Sequence, residues 1–334
     1  MTVQQNNLSS QIWLRRFSKI TAWATFVLIF IGGMVKSTES GLAVPDWPLS
    51  YGSLFPPMVG GVFYEHGHRM VASLVGFLIL CLAIWLARNE KRRWVRNLGW
   101  AALIAVILQG VLGGITVLLY LPAAVSVAHG VLAQTLFILT IVMAYSQSKE
   151  HALRRGEKEE TSPVFLKWAF ILTAFIYVQL LLGAIMRHTE SGLAIYDFPT
   201  MGGYWWPPFN ETMLNKINYW RFEHNLNPIT MTQVVYNFLH RLGAGFIFIT
   251  SCVVTLLALK YHTSKPRIMR SVYLLNSLVI LQITLGILTI LTQKQPIITS
   301  FHVMIGAGVL GISTLLILRA SPLTWTELRK TLSC

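Results

Sequence analysis

The sequence predicts an all-α integral membrane protein with eight transmembrane helices arranged as two repeated four-helix bundles. Apolar residues make up 54% of the 334 residues and charged residues only 12%, a balance typical of membrane proteins. The length that crosses a bilayer is about 20 apolar residues. Runs of this kind occur at 20–36, 69–87, 98–118, 126–145, 164–186, 240–260, 271–292 and 300–319. The third observation is an internal repeat, which defines the structural unit.

The repeat is visible in the residue letters. The segment from Thr38 to Pro48 (TESGLAVPDWP) returns from Thr189 to Pro199 (TESGLAIYDFP). Each copy is followed by a His-Arg pair, a Gln-x-x-x-Gly-x-x-Thr motif and a lone histidine. These residues are His68-Arg69, Gln109, Gly113, Thr116 and His129 in the first half, and His240-Arg241, Gln282, Gly286, Thr289 and His302 in the second. Because each half has an even number of spans, both halves are expected to enter the membrane in the same direction.

One polar segment, 147–163, separates the halves. It is rich in charged residues and has no apolar period, as expected of a linker. The chain therefore divides into a cytoplasmic N-terminal segment, a first four-helix bundle, a cytoplasmic linker, a second four-helix bundle and a cytoplasmic tail. The boundaries are 1–19, 20–146, 147–163, 164–320 and 321–334.

The net charge of +14 reports topology rather than a nucleic-acid partner. On this division 20 of the 27 Lys and Arg residues lie on one side of the membrane. Basic residues concentrate on the cytoplasmic side and attract anionic lipid, so both termini are expected in the cytoplasm. No Arg-rich, Ser-rich transit peptide is present, which favours the plasma membrane of a prokaryote.

Four histidines are the candidate metal ligands. His68, His129, His240 and His302 stand at or near the start of the four even-numbered spans, 61 residues apart in the first half and 62 in the second. Two helices that carry a histidine at the same depth can hold one cofactor between them. Haem, a flat apolar disc with an axial ligand on each side, fits this pattern. Zinc is the rival metal, although it prefers three or four protein ligands.

The remaining histidines have no repeat partner. His151 and His262 are expected on the cytoplasmic surface, while no role follows for the other three, at positions 66, 188 and 224. Cys81 and Cys252 lie inside spans and Cys334 is the last residue, so no structural disulfide is expected.

Charged residues beside the histidines suggest further roles. Arg69 and Arg241 could bind haem propionates through bidentate contacts or simply extend to the membrane surface. Glu65 lies three residues before His68 and therefore on the same helical face, whereas Asn237 holds that position before His240. A carboxylate at the edge of a span is a functional candidate. Glu65 is therefore the candidate catalytic residue, and pairing with Arg69 or Lys36 is the alternative.

At these residues the chain resembles the haem A synthase family, over about residues 20–319. The motifs on which the resemblance rests are Pro45-Asp46-Trp47-Pro48, Glu65-x-x-His68-Arg69 and His240-Arg241, with His129 and His302. The resemblance implies oxidation of a haem O methyl group to the formyl group of haem A, the cofactor of terminal oxidases. It also implies haem O or haem A as substrate or product on His68 and His129, and haem b on His240 and His302.

The partners implied are a farnesyltransferase that produces haem O, the terminal oxidase assembly and the lipid bilayer. Many family members carry a cysteine pair in the first outer loop, where this chain has Val44 and Ser50. Two other classes share every histidine. One is a dihaem cytochrome b that exchanges electrons with quinone, and the other is a haem-delivery protein.

Overall fold

The computed structural model describes residues 3–154 and 161–321 and is all-helical there. Its α-helices are α1 (Val3–Ser37), α2 (Gly61–Asn89), α3 (Arg93–Leu118), α4 (Ala123–Ser146), α5 (Lys149–Arg154), α6 (Pro163–His188), α7 (Glu211–Glu223), α8 (Met231–Tyr261), α9 (Pro266–Leu291) and α10 (Pro296–Ala320). In this part of the chain eight helices, all but α5 and α7, are long and apolar enough to cross a membrane. The prediction of eight helical spans is confirmed.

The long helices begin before their predicted spans, and in α2 and α8 the extra turns precede a candidate ligand histidine. The second span was predicted from residue 69 and the sixth from residue 240, but α2 begins at Gly61 and α8 at Met231. His68 and His240 therefore lie about two turns inside their helices instead of opening them. The added turns contain polar residues such as Glu65 and Asn237, which are nevertheless buried.

The eight long helices pack as two rings of four. In the first ring α2 contacts α1 and α3, and α4 closes it against α1 and α3. In the second, α8 contacts α6 and α9, and α10 closes it against α6 and α9. The rings meet where α10 contacts α1 and α4 and where α4 contacts α6.

Close packing fills both rings and the junction between them. The fully buried side chains include Ile79, Leu82 and Leu86 in the first ring and Phe165, Leu172 and Leu310 in the second. At the junction the aromatic side chains of Phe26 and Phe137 stack, with their centroids 5.4 Å apart. Gly311 permits this approach, because an added Cβ atom would lie 2.9 Å from Ile141. Small residues allow such close helix approach in membranes.

Two segments, which we call loop A (38–60) and loop B (189–230), cover the same end of the rings. Each contains an aspartate that organises a turn. The amides of Tyr51 and Gly52 donate to Asp46, and the amides of Gly202 and Gly203 donate to Asp197. The hydrogen bonds from Gly52 and Tyr51 hold the pKa of Asp46 below its usual value. A repeated Asp thus fixes a repeated turn.

The extra length of loop B forms a helix. In α7, Met213 and Ile217 are fully buried, packed with Ile195 and Val234. The ring of Trp220 stacks on Tyr196 with centroids 4.2 Å apart. The insertion is therefore a packed lid on the second copy of the repeated segment.

One expectation is wrong at the end of the molecule opposite loops A and B. His151 and His262 were expected on the surface, but they are only 8% and 1% exposed. The His262 ring packs edge-on against Phe165 with centroids 4.7 Å apart. The predicted linker contributes α5, while 155–160 and the tail from 322 lie outside the described residues.

Candidate functional site

The second ring brings two predicted ligand histidines together. The ring centroids of His240 on α8 and His302 on α10 lie 6.4 Å apart, with an interplanar angle of 68°. An imidazole nitrogen binds a metal ion at about 2 Å, so two such rings on one ion have centroids about 6 Å apart. The separation therefore fits one ion between the rings, as bis-histidine haem requires.

Both rings are already held by neighbouring helices. Nδ1 of His302 lies 3.1 Å from the backbone oxygen of Gln282. When Nδ1 donates its proton to that oxygen, Nε2 carries the lone pair that a metal would take, and the side-chain Nε2 of Gln282 lies 3.4 Å from it. Nε2 of Gln179 donates to the backbone oxygen of His240 over 2.7 Å and lies 3.2 Å from Nδ1 of the same residue.

The first ring contains the corresponding pair, His68 on α2 and His129 on α4. His68 lies against Gly32 of α1 and His129 against Gly113 of α3. Nε2 of Gln109 donates to the backbone oxygen of His129 over 3.0 Å. Nδ1 of His129 is buried and has no hydrogen-bond partner among the described residues. This nitrogen lies toward Gly113 on α3, as Nδ1 of His302 lies toward Gly286, so Nε2 is the nitrogen left for a metal.

A glycine on a neighbouring helix lies against each histidine ring. We measured the distance from a Cβ atom added to each glycine to the nearest ring atom. The pairs are Gly32 with His68 (3.1 Å), Gly113 with His129 (3.3 Å), Gly183 with His240 (3.1 Å) and Gly286 with His302 (3.0 Å). Any side chain larger than hydrogen would displace the ring, so the four glycines shape four equivalent ring positions.

The repeated Gln-x-x-x-Gly motif now has a structural explanation. Gln109 and Gly113 lie one turn apart on α3 and both contact His129. Gln282 and Gly286 likewise contact His302, but here the backbone oxygen of Gln282 is the partner of Nδ1 on the His302 ring. The motif supports one histidine from the preceding helix. Sequence reasoning missed a third example on α6, Gln179 and Gly183, because the repeat has Leu28 where a glutamine would match.

The two arginines bind the loops. The guanidinium of Arg69 donates to the backbone oxygens of Asp46, Leu49 and Val44, at 2.8–3.2 Å. Arg241 donates in the same way to Asp197, Thr200 and Ile195, at 2.8–3.2 Å. Each arginine therefore holds the loop beside a candidate ligand histidine. Nε of Arg241 is buried and has no partner in the described part of the chain.

Glu65 and Asn237 make opposite contacts with these loops. Glu65, only 4% exposed, accepts a hydrogen bond from the amide of Val44 over 2.7 Å and one from Arg69 over 2.6 Å. Nδ2 of Asn237 donates to the backbone oxygens of Ser191 and Gly192. The repeat position is thus a loop anchor in both rings, and only the first ring has a buried carboxylate there.

His66 and Arg187 were given no role by the sequence. Nδ1 of His66 lies 2.8 Å from the hydroxyl oxygen of Ser50, under loop A. Arg187 lies where the rings meet and donates from Nη2 to the backbone oxygen of Gly33 over 2.6 Å. The signal for Arg187 was its repeat position, which matches Lys36 in the first half.

With this geometry in place, comparison with known proteins is informative. Residues 15–60 and 59–314 match the COX15-CtaA model, described as cytochrome oxidase assembly protein. The chain belongs to the COX15-CtaA family. The matched residues contain both loop motifs and all four candidate ligand histidines.

Curated relatives in this family are named heme A synthase. The Alkalihalophilus pseudofirmus protein is 31% identical over 201 residues, which is 58% of this chain and 66% of that protein. The Halalkalibacterium halodurans protein is 26% identical over 303 residues, covering 87% of this chain and 92% of the relative. For the Lysinibacillus sphaericus protein the identity is 26% over 320 residues, covering 93% and 96%. These relatives support the haem A synthase resemblance over nearly the whole chain.

Proposed function

We propose that this chain is a haem A synthase, which oxidises a peripheral methyl group of haem O to a formyl group through a hydroxylated intermediate. The observation that carries the proposal is the pairing of His240 and His302 at 6.4 Å in a chain whose curated relatives are named heme A synthase. In each of two successive oxidations the methyl carbon gains one oxygen atom from water and gives up two electrons and two protons. The electrons pass to an external acceptor, and the carbon becomes first a hydroxymethyl group and then a hydrate. Loss of water from the hydrate leaves the aldehyde.

Each ring of helices has its own role in this proposal. In the first ring, His68 and His129 hold haem O as substrate. In the second, His240 and His302 hold haem b as a resident cofactor, and their separation fits that group. When bound, haem b supplies a centre that accepts and passes on single electrons. The surrounding helices orient the substrate and exclude competing reactions.

Glu65 is the residue we assign to proton transfer. It lies one helical turn from His68, in the half that we assign to the substrate, and its counterpart Asn237 cannot accept a proton. Arg69 and the Val44 amide hold the carboxylate in one position. A fixed base beside the reacting carbon can take the proton released at each oxidation, or stabilise developing positive charge.

For the arginines we infer propionate binding in addition to their loop contacts. Nε of Arg241 is a buried N–H without a partner among the described residues, and charge-assisted bonds to carboxylates are strong. Arg69 occupies the repeat-equivalent position beside the substrate. Loop binding would then link the position of each loop to haem occupancy.

The proposed setting follows from the charge distribution and the relatives. We place the chain in the plasma membrane of a prokaryote, with loops A and B outside and both termini in the cytoplasm. Its partners would be a farnesyltransferase that makes haem O and the terminal oxidase assembly that receives haem A.

The test is to express the full chain with and without a haem O-producing farnesyltransferase and to separate the extracted haems by chromatography. Haem A, or its hydroxylated precursor, should appear only with the farnesyltransferase. Two molecules of haem b per chain under both conditions would instead support a dihaem cytochrome b that exchanges electrons with quinone. Unaltered haem O passed on to an oxidase would support a haem-delivery protein.

A further inference from the structure

The four histidines are not supported equally. In the second ring both imidazoles have a hydrogen-bond partner at Nδ1, which is Nε2 of Gln179 at 3.2 Å for His240 and the backbone oxygen of Gln282 at 3.1 Å for His302. In the first ring Gln109 donates to the backbone oxygen of His129, and Nδ1 of His129 has no partner among the described residues. Within the described residues, no side chain of α1 donates a hydrogen bond to His68, and Gly32 of α1 lies against its ring. The first ring therefore holds its histidines less firmly than the second, and His68 also lacks the backbone bond that Gln109 and Gln179 give to His129 and His240.

The cause lies in two substitutions between the repeats. On α6, Gln179 stands one turn before Gly183 and donates to His240, whereas on α1 Leu28 stands one turn before Gly32. The Gln179 side chain occupies the space that a Cβ atom on Gly243 would fill. In the first half the position of Gly243 is taken by Val71. The first ring thus lacks the donor and also the glycine that makes room for it.

The ring orientation is an independent observation. For His129, His240 and His302, the ring atom nearest the facing glycine is Cε1, followed by Nδ1. For His68 the nearest atoms are Nε2, at 3.1 Å from the added Cβ of Gly32, and Cδ2, at 3.5 Å. The His68 ring is turned over relative to the other three. A ring without a hydrogen bond at either nitrogen can take both orientations.

We propose that His68 is the exchangeable ligand of the first ring, and that Leu28 and Val71 make it so. Its imidazole turns away readily, which opens this site to a haem that enters and leaves, while Gln179 and Gly243 keep His240 on a resident haem. The inference rests on the proposed function, in which the first ring holds a substrate and the second a cofactor. A residue behind a ligand histidine typically changes metal affinity by about 10- to 100-fold.

The experiment measures haem dissociation from the purified full chain, loaded with haem b as probe and mixed with excess apomyoglobin. Wild-type protein should lose haem in two phases. The fast phase should be missing in His129→Ala and the slow phase in His302→Ala. Leu28→Gln with Val71→Gly transplants the second-ring pair and should slow the fast phase about 10-fold or more. Gln179→Met should accelerate the slow phase by a similar factor.

The matched control is Leu28→Met with Val71→Gly, which makes the same space without a hydrogen-bond donor and should leave the fast phase unchanged. The inference would be overturned if both sites of the wild type lost haem at the same rate. It would also be overturned if Leu28→Gln with Val71→Gly left the rate of the fast phase unchanged. Either result would leave the proposed function intact. A chain that binds haem only through His240 and His302 would overturn the proposed function as well. If the Leu28→Gln/Val71→Gly variant is unstable, Gln179→Met still tests the inference, because it measures the effect of the glutamine in the second ring.

Discussion

Glu65 and Arg69 form an ion pair on one face of α2, with 2.6 Å between Oε1 and Nη2. The pair is largely buried, with side-chain exposures of 5% for Glu65 and 16% for Arg69. Its guanidinium also binds the backbone of loop A. Removing one partner of a buried pair leaves an uncompensated charge, so the pair contributes to structure whatever its chemical role.

The first prediction separates the two roles of Glu65. Glu65→Gln keeps an oxygen that can accept the Val44 amide but removes the negative charge and the proton acceptor. If Glu65 is the catalytic base, haem A formed per bound haem should fall about 10²- to 10⁴-fold while haem content stays close to wild type. Glu190→Gln is the control, since Glu190 forms an exposed pair with Lys36. Normal turnover per bound haem, combined with poor haem loading, would assign Glu65 to structure alone.

How much of this fold the sequence predicts depends on the type of residue. Apolar runs and the charge distribution predict all eight spans, because lipid requires long apolar helices. The early starts of α2 and α8 could not be predicted from hydropathy, since Glu65 and Asn237 are polar and are buried only by loops A and B. His262 was misplaced for a similar reason: its burial depends on packing against Phe165, a contact between distant parts of the chain.

For the candidate site, the repeat identifies the four histidines but not what supports them. Gln109 and Gln282 recur in the sequence and could be recognised as a motif. Gln179 has no match at Leu28, so only the packing of α6 against α8 reveals its contact with His240. A comparison of identical residues in the two halves therefore does not reveal that His240 has a supporting glutamine and His68 does not.

The second prediction concerns the haem b ligands. His302→Ala or His240→Ala leaves the iron with one protein ligand and should abolish the low-spin haem b signal, because bis-imidazole ligation needs both rings. The measurement is the optical spectrum of the purified variant with its haem content per chain. His262→Ala serves as the control, since His262 lies against Phe165 at the opposite end of α8, about 33 Å along the helix from His240. A full low-spin signal in His302→Ala would exclude the His240–His302 site.

The third prediction is a pH dependence at the end opposite the loops. Burial raises the pKa of Glu90, but hydrogen bonds from Arg92 and Gln147 lower it more, to about 2. Because the folded pKa lies below the ordinary value of 4.5 for a glutamate, the stabilisation is complete above about pH 4.5 and is lost as the pH falls toward 2. Thermal unfolding in detergent should show wild type and Glu90→Gln converging in that window. An unchanged difference in melting temperature across the window would contradict the assignment.

The fourth prediction tests the topology. Phe55 in loop A is 81% exposed, and Lys91 lies between α2 and α3 at the other end. In a background with Ser at positions 81, 252 and 334, Phe55→Cys should react with a membrane-impermeant thiol reagent in intact cells. Lys91→Cys should react only after the membrane is opened. Labelling of both, or the reverse pattern, would overturn the cytoplasmic placement of the termini.

The last prediction concerns the glycines that contact the histidine rings. In Gly183→Ala the new methyl carbon would lie 3.1 Å from Cε1 of His240, closer than carbon atoms normally approach. The ring must shift, so haem b occupancy or the axial-ligand signature in electron paramagnetic resonance should change, by about 10-fold if the shift acts like loss of a supporting contact. Gly245→Ala is the matched control on α8, since nothing lies within 4 Å of its added Cβ. That variant should bind haem normally and gain about 0.5–1 kcal/mol in helix stability. If both variants keep the wild-type spectrum, Gly183 is only a packing residue; if only Gly183→Ala changes it, the close glycine sets the orientation of the ligand.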